Sequence, residues 1–294
     1  MVKANTLVGL LIFILGLPTF VFAKDYEIRL FHPDNIGNEY QISMILTSEQ
    51  TQKIFVDSVL LKKESDIKKL EFIADIKVLD IGVLKKATKL AITISKLEKI
   101  EQGTRTTLLA PKTKVIASIR NNQELFEINR KVVSGELYES LSWLSLLDTQ
   151  LDKTDDDIMG TTERKSVGDK WSVNQAEIAE YFGKEGYNVA ARDVFGNMTL
   201  ENIVRRNNKK YLKIGGAVII WKLIAPTDPS MTGIGSGQIT YSWLYPEKAG
   251  GGPIEASASI DMSIKSKTKP QTGEPNVVVD MTLKEFLLRS YKYK

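Results

Sequence analysis

The sequence predicts a mainly β protein of the α+β kind: two strand-rich antiparallel halves with a few packed helices. Three observations predict it. Apolar residues recur at every second position in one stretch after another, the period of a strand with one buried face. These stretches lie close together and are punctuated by Asn, Gly and Pro, as in an antiparallel sheet with short connections. Helical spacing shows in two places, Gly135 to Leu147 and Gln175 to Phe182.

Taken in order, residues 1–23 read as a secretory signal. Lys3 supplies the basic start, and an apolar run from Leu7 to Phe22 is broken only by Gly9, Gly16, Pro18 and Thr19. Val21-Phe22-Ala23 then places slim residues just before the charged pair Lys24-Asp25, the layout of a cleavage site. Gly16 and Pro18 end the helical run where the signal should end. A membrane span wants roughly 20 apolar residues, and this run is shorter. No stable span is expected after cleavage, and a periplasmic or secreted location of the bacterial kind is.

Residues 24–147 form the first half. Tyr40, Ile42, Met44 and Leu46 alternate, then Leu70, Phe72, Ala74, Ile76 and Val78. Leu90, Ile92 and Ile94 follow, then Val115, Ala117 and Ile119, and after the turn pair Asn121-Asn122 come Phe126 and Ile128. Asn tolerates positive φ cheaply, so the pair marks a tight hairpin. The half closes with a helix whose Leu137, Leu141, Leu144 and Leu147 gather near one face. Residues 148–167 are polar, with Asp155-Asp156-Asp157 at their centre, and read as a solvated linker. The aspartates lack the spaced ladder and closing Glu of a calcium loop.

The second half is 168–294. Asn174 can cap a helix in which Ile178 and Phe182 share one side. Strands then resume around Met198, Leu200 and Val204, from Tyr211 to Ile214, and from Val218 to Trp221, the last two separated by a turn at Gly215-Gly216. Ile239, Tyr241 and Trp243 alternate, as do Ile260, Met262 and Ile264, then Val277, Val279, Met281 and Leu283. Pro226 to Gly237, Pro246 to Pro253 and Pro270 to Pro275 read as the Gly- and Pro-rich loops between them.

Composition narrows the function classes. The chain without residues 1–23 keeps 271 of 294 residues and a formal charge of +3. Basic and acidic residues number 19 and 18 in residues 24–150, then 20 and 18 in 151–294. Charge this evenly mixed offers nucleic acid no basic face. With no cysteine there is no disulfide, thiolate metal site, thiol nucleophile or lipid-bearing residue after the signal.

No residue is assigned to catalysis, to a cofactor or to a metal. His32, the single histidine, sits in Phe31-His32-Pro33-Asp34 after a first strand, where a surface loop is expected. Gly233-Ile234-Gly235-Ser236-Gly237 precedes the strand pattern Ile239 to Trp243, whereas a phosphate-cradling loop must open a helix. Gly250-Gly251-Gly252 runs into Pro253 and reads as another hairpin loop. Trp171, Trp221, Trp243 and Tyr241 are expected in the core, as aromatics at alternating positions usually are. Asn197-Met198-Thr199 matches a glycosylation acceptor triplet, silent in a bacterial host.

The order of these parts, with the leucine-rich segment Leu137 to Leu147 and the Gly168-Asp169-Lys170-Trp171 opening of the second half, resembles uncharacterised exported β-rich bacterial proteins. In coarse shape it is also similar to periplasmic lipoprotein carriers, in which a curved antiparallel sheet shelters acyl chains. That similarity implies an apolar ligand and transfers no site residue. The expectation is a non-enzymatic binding protein of the envelope, holding a lipid or other apolar ligand. The alternatives are a structural module that binds an envelope protein, or a hydrolase with a carboxylate or Ser/Lys site. An outer-membrane barrel fits least, because many strands carry Lys and Glu outward where a lipid-facing band is required.

Overall fold

The structure is a computed structural model, and it describes residues 24–149, 152–225, 231–248, 251–268 and 275–294. The signal read at residues 1–23 lies outside the described residues. Among those described, thirteen strands make one antiparallel sheet. They are β1 (Glu39–Val56), β2 (Val59–Ile81), β3 (Ala87–Glu101), β4 (Thr104–Leu109), β5 (Lys114–Arg120), β6 (Gln123–Ile128) and β7 (Lys131–Val132), then β8 (Lys170–Ser172), β9 (Val194–Arg206), β10 (Lys209–Ala225), β11 (Met231–Pro246), β12 (Glu255–Thr268) and β13 (Val277–Tyr293). Three helices accompany them: α1 (Gly135–Trp143), α2 (Asp155–Met159) and α3 (Gln175–Lys184). The mainly β, antiparallel class read from the sequence is the observed one.

Strand order is β7-β6-β5-β3-β2-β1-β13-β12-β11-β10-β9-β8, with β4 beside β3. Neighbours in space are neighbours in sequence except where β5 pairs with β3 past β4 and at one long-range closure. There the last strand, β13, pairs with the first, from Tyr40 opposite Tyr293 to Val56 opposite Val277. This pairing joins the two strand-rich halves into a continuous sheet.

Register fixes which side chains share a face. Leu46 lies opposite Leu287, Leu287 opposite Ala258, and Ala258 opposite Tyr241. One face therefore carries two apolar clusters side by side. The first gathers Ile42, Met44, Phe72, Ile92, Phe126 and Leu141. The second gathers Trp171, Ile178, Phe182, Leu200, Ile214 and Met262. β13 serves both, with Leu287 and Tyr291 against the first and Met281 and Leu283 against the second. Helix α1 lies over the first cluster through Leu141, and α3 over the second through Ile178 and Phe182. Lys, Glu, Ser and Thr dominate the opposite, outer face, the alternation expected of a sheet wet on one side.

Several local expectations hold. Asn121 and Asn122 turn with φ of 52° and 59° between β5 and β6. Asn174 caps α3, its side chain accepting from the Glu177 N–H. Others are corrected. Gly215-Gly216 is no turn: both residues lie inside β10, which runs unbroken through them. Gly233 to Gly237 is strand, the start of β11 opposite β12. A Cβ on Gly235 would stand 2.4 Å from the Ser263 backbone oxygen, and one on Gly216 2.5 Å from that of Asn197. Glycine here answers the close approach of neighbouring strands. Helix α1 ends at Trp143, so Leu144 and Leu147 reach the core from the following turn.

The segment before His32 is not a regular strand. Tyr26 makes a single bridge with Lys165, yet Ile28 and Leu30 are fully buried in the second cluster. Within the polar stretch after Asp148, the three aspartates open α2 with a capping box: the Thr154 side chain accepts from the Asp157 N–H while the Asp157 carboxylate accepts from the Thr154 N–H. Met159 is buried, and its carbonyl accepts a 2.7 Å bond from the Trp171 indole.

Candidate ligand-binding face

The face carrying the two clusters has a polar junction between them and an open end beyond α1. At the junction, Arg289 projects from β13 and donates from Nη2 to the carbonyls of Leu144 (2.9 Å) and Ser145 (3.1 Å), fixing the turn after α1. Glu124 of β6 reaches the same turn, its Oε1 accepting from the Leu147 N–H at 3.0 Å. Burial pushes its carboxyl up to about 7, against the pull of the Leu147 and Leu146 amides. The buried ammonium of Lys86 pairs with Asp148.

Asp155 stands across the junction at the start of α2. Solvent reaches it, yet protein surrounds it closely enough that lost hydration and the Asp148 carboxylate lift its pKa to about 6, opposed by Lys86 and Arg289. Both facts describe a carboxyl in a wet crevice rather than one sealed in a core. Its charge is felt by Tyr181, Tyr241 and Tyr245, whose phenols are all held above their ordinary value mainly by burial. The Tyr245 hydroxyl donates to the Leu30 carbonyl at 2.7 Å, while the Leu30 N–H donates to Asp156 at 2.7 Å.

Beyond the end of α1, Trp143 overhangs an open pocket of ≈ 160 Å³ completed by Ser48, Gln50, Asp66 and Lys68. Register places Gln50 opposite Leu283 and Gln52 opposite Met281. Register thus sets the half-buried apolar side chains of Leu283, Met281 and Val279 on β13 on the same face, beside the pocket. The Lys68 ammonium is held by Asp66 at 2.7 Å and Glu101 at 3.7 Å. A polar group set at the mouth of an apolar strip suits an amphiphile.

The residues singled out in sequence are dispersed. His32 packs edge-on to Tyr293, ring centroids 6.1 Å apart, within an aromatic group that includes Tyr40 and Tyr291. Burial raises the pKa of Asp34, two residues on, while its carboxylate accepts from the Ala87 N–H. Trp171 is in the core as expected, and Tyr241 and Trp243 stack half-buried at 5.2 Å. Trp221 is instead 65% exposed on the outer face, beside Phe195. The glycines at 233–237 belong to β11, and the cluster 250–252 lies partly outside the described residues. Sequence reasoning missed Arg289, Glu124 and Trp143. Their partners lie 145, 23 and more than 70 positions away, and no local pattern reports such pairings. Among the described residues no group of three or more His, Asp or Glu is placed to hold a metal ion, and no helix is long and apolar enough to cross a membrane.

No family model matches the chain, and no curated protein matches it. Solved structures give distant likenesses. Lipovitellin, known from a structure of its lipid–protein interactions, is similar over 85% of this chain at 8% identity and a TM-score of 0.34; the chain spans only 25% of lipovitellin's length. An outer membrane channel from Pseudomonas putida F1 is similar over 91% of this chain and all of its own, at 6% identity and a TM-score of 0.22. A loop-deletion form of OmpT, an outer membrane protein of Vibrio cholerae, is similar over 85% of this chain and 99% of its own, at 5% identity and 0.18. Lipid-associated and outer membrane β proteins thus stand where the sequence suggested periplasmic lipoprotein carriers. At these identities and scores the likenesses define neither a family nor a function.

Proposed function

We propose that the chain is an exported, non-enzymatic binding protein of the bacterial envelope, periplasmic or secreted, that holds a lipid or other amphiphile on the inner face of its sheet. The observation that carries this reading is the pocket at Trp143 with the apolar strip of β13 beside it on the same face. The strip offers apolar contact, and Ser48, Gln50 and Lys68 offer hydrogen bonds and charge for a head group. Residues 24–147 and 168–294 act in this reading as two strand-rich halves, with the ligand lying near their shared strand. Native mass spectrometry of the protein from the cell envelope, with organic extraction, tests it. A co-purifying amphiphile lost in Leu283→Asp supports it. An apo mass, together with no uptake of added fatty acid or phospholipid, overturns it.

A second reading is a protein-interaction module. It is favoured by the stretch Val59 to Ile67 of β2, which among the described residues pairs only with β1, since β3 joins β2 from Lys68 onward. A free edge of this kind can add a partner strand.

A further inference from the structure

We propose that the rim formed by the β1–β2 hairpin is an interfacial anchor that dips into an anionic phospholipid bilayer, its tip apolar on both faces and a lysine row standing at head-group level. The hairpin turns through Asp57 and Ser58, both at positive φ. The six residues around that turn are Ile54, Phe55, Val56, Val59, Leu60 and Leu61. Phe55 lies opposite Leu60 and Val56 opposite Val59, with the register slipping one residue beside Ile54. Successive side chains point to opposite faces, so an unbroken apolar run makes both faces apolar. Elsewhere the outer face is mainly polar, with Phe195, Trp221 and Phe286 as exposed aromatic exceptions. Val59, Leu60 and Leu61 are 63%, 49% and 66% exposed. On the other flank Val277 and Val278 lie opposite Val56 and Phe55, widening the tip to three strands.

Behind the tip, register lines up one outer-face row: Ile224 of β10, Ile234 of β11, Lys265 of β12, Asp280 of β13, Lys53 of β1 and Lys63 of β2. Lys267, opposite Val278, stands one row nearer the tip. Lys53, Lys63 and Lys267 stand in or beside this row with Lys265, which lies 3.9 Å from Asp280; Asp57 in the turn and Glu64, paired with Lys62 at 2.7 Å, offset part of the hairpin's positive charge. From Lys53 to Val56 is three residues, roughly 10 Å at 3.3 Å per residue, which matches the 5–10 Å depth of an interfacial segment. A second copy of the chain meets the rim less well. Its lysines would face lysines, and edge pairing along β2 would leave the apolar faces uncovered. Anionic head groups satisfy the charge, and the acyl boundary covers both faces.

The test is flotation of the full chain with vesicles of phosphatidylcholine and phosphatidylglycerol (7:3) and with phosphatidylcholine alone, beside circular dichroism to confirm folding. The wild type should float with the anionic vesicles, and more weakly at high salt. Each lysine near such a surface contributes roughly fivefold, so Lys53→Gln with Lys63→Gln should cut partitioning at least about tenfold. Leu60→Ser with Leu61→Ser should cut it by at least about as much. Absence of flotation by the wild type overturns the proposal. So does undiminished flotation of either folded variant, and if the leucine variant misfolds the lysine variant alone decides. Self-association in sedimentation velocity that Leu60→Ser with Leu61→Ser removes, without vesicle binding, assigns the rim to a second copy and likewise overturns it. The inference is independent of the inner-face ligand: a chain that extracts a single lipid leaves the vesicles as a soluble complex and does not float.

Discussion

Replacing Glu124 with Gln tests whether the junction is held by a carboxyl that folding disfavours when charged. Its pKa moves from 4.5 to about 7 through burial. At about 1.4 kcal/mol per pKa unit, the ionised form is about 3 kcal/mol less favourable in the folded chain than in the unfolded one, as a ceiling. Glu124 is an acid with a raised folded pKa, so the folded chain holds the proton more tightly. The contribution of Glu124 to stability is therefore greatest below pH 4.5, is lost as pH rises from 4.5 through 7, and is level above. Gln cannot ionise and keeps an oxygen for the Leu147 N–H, which Glu124 accepts at 3.0 Å. Urea denaturation followed by tryptophan fluorescence, at steps from pH 4.5 to 8, measures both proteins. The Glu124→Gln variant should match the wild type at the acid end and gain on it steadily, by up to about 3 kcal/mol at pH 8. Parallel curves, with the variant displaced equally at every pH, would refute the reasoning and show that Glu124 contributes only its hydrogen bond.

Two further substitutions probe the local physics. Gly235→Ala places a methyl 2.4 Å from the Ser263 oxygen and 2.9 Å from Ile264 Cγ1; overpacking of this kind costs about 1–3 kcal/mol, read as a lower melting temperature, and an unchanged melting temperature would mean the strands separate freely there. Thr154→Ala removes the side-chain cap of α2 and should lower stability by about 1 kcal/mol in urea, with no dependence on pH between 6 and 8.

Most of the sheet was legible because its inner face is continuous and apolar. Ile42, Met44 and Leu46, or Leu70 to Val78, are buried where period two places them. What misled were residues serving two demands at once. Gly215, Gly216, Gly233 and Gly235 carry the local signature of a turn, yet all sit in strands, and at Gly216 and Gly235 a neighbouring backbone approaches closely. Asp155 to Asp157 carry the signature of a solvated loop, yet Thr154 three residues before Asp157 is also a capping box, and that reading was available in the sequence. The candidate site was not. Trp143 and Lys68 meet because α1 packs back beside the β1–β2 pair, and Arg289 and Leu144 because the topology returns β13 to β1, and periodicity carries no information about which strands become neighbours.

That return has a consequence for how the chain reaches its fold. β1 is flanked on one side by β2, available at once, and on the other by β13, whose Val277 lies opposite Val56 across a long stretch of sequence. Until the last strand arrives, β1 presents an unpaired edge, and the first cluster lacks Leu287 and Tyr291. Open edges beside apolar surface are what drive misassociation. Contacts this distant in sequence also form slowly, because the loop-closure entropy must be met first. The hairpins β2–β3, β5–β6 and β9–β10 can form locally. The continuous sheet, with its shared junction at Arg289, can form only when β1 and β13 are both present.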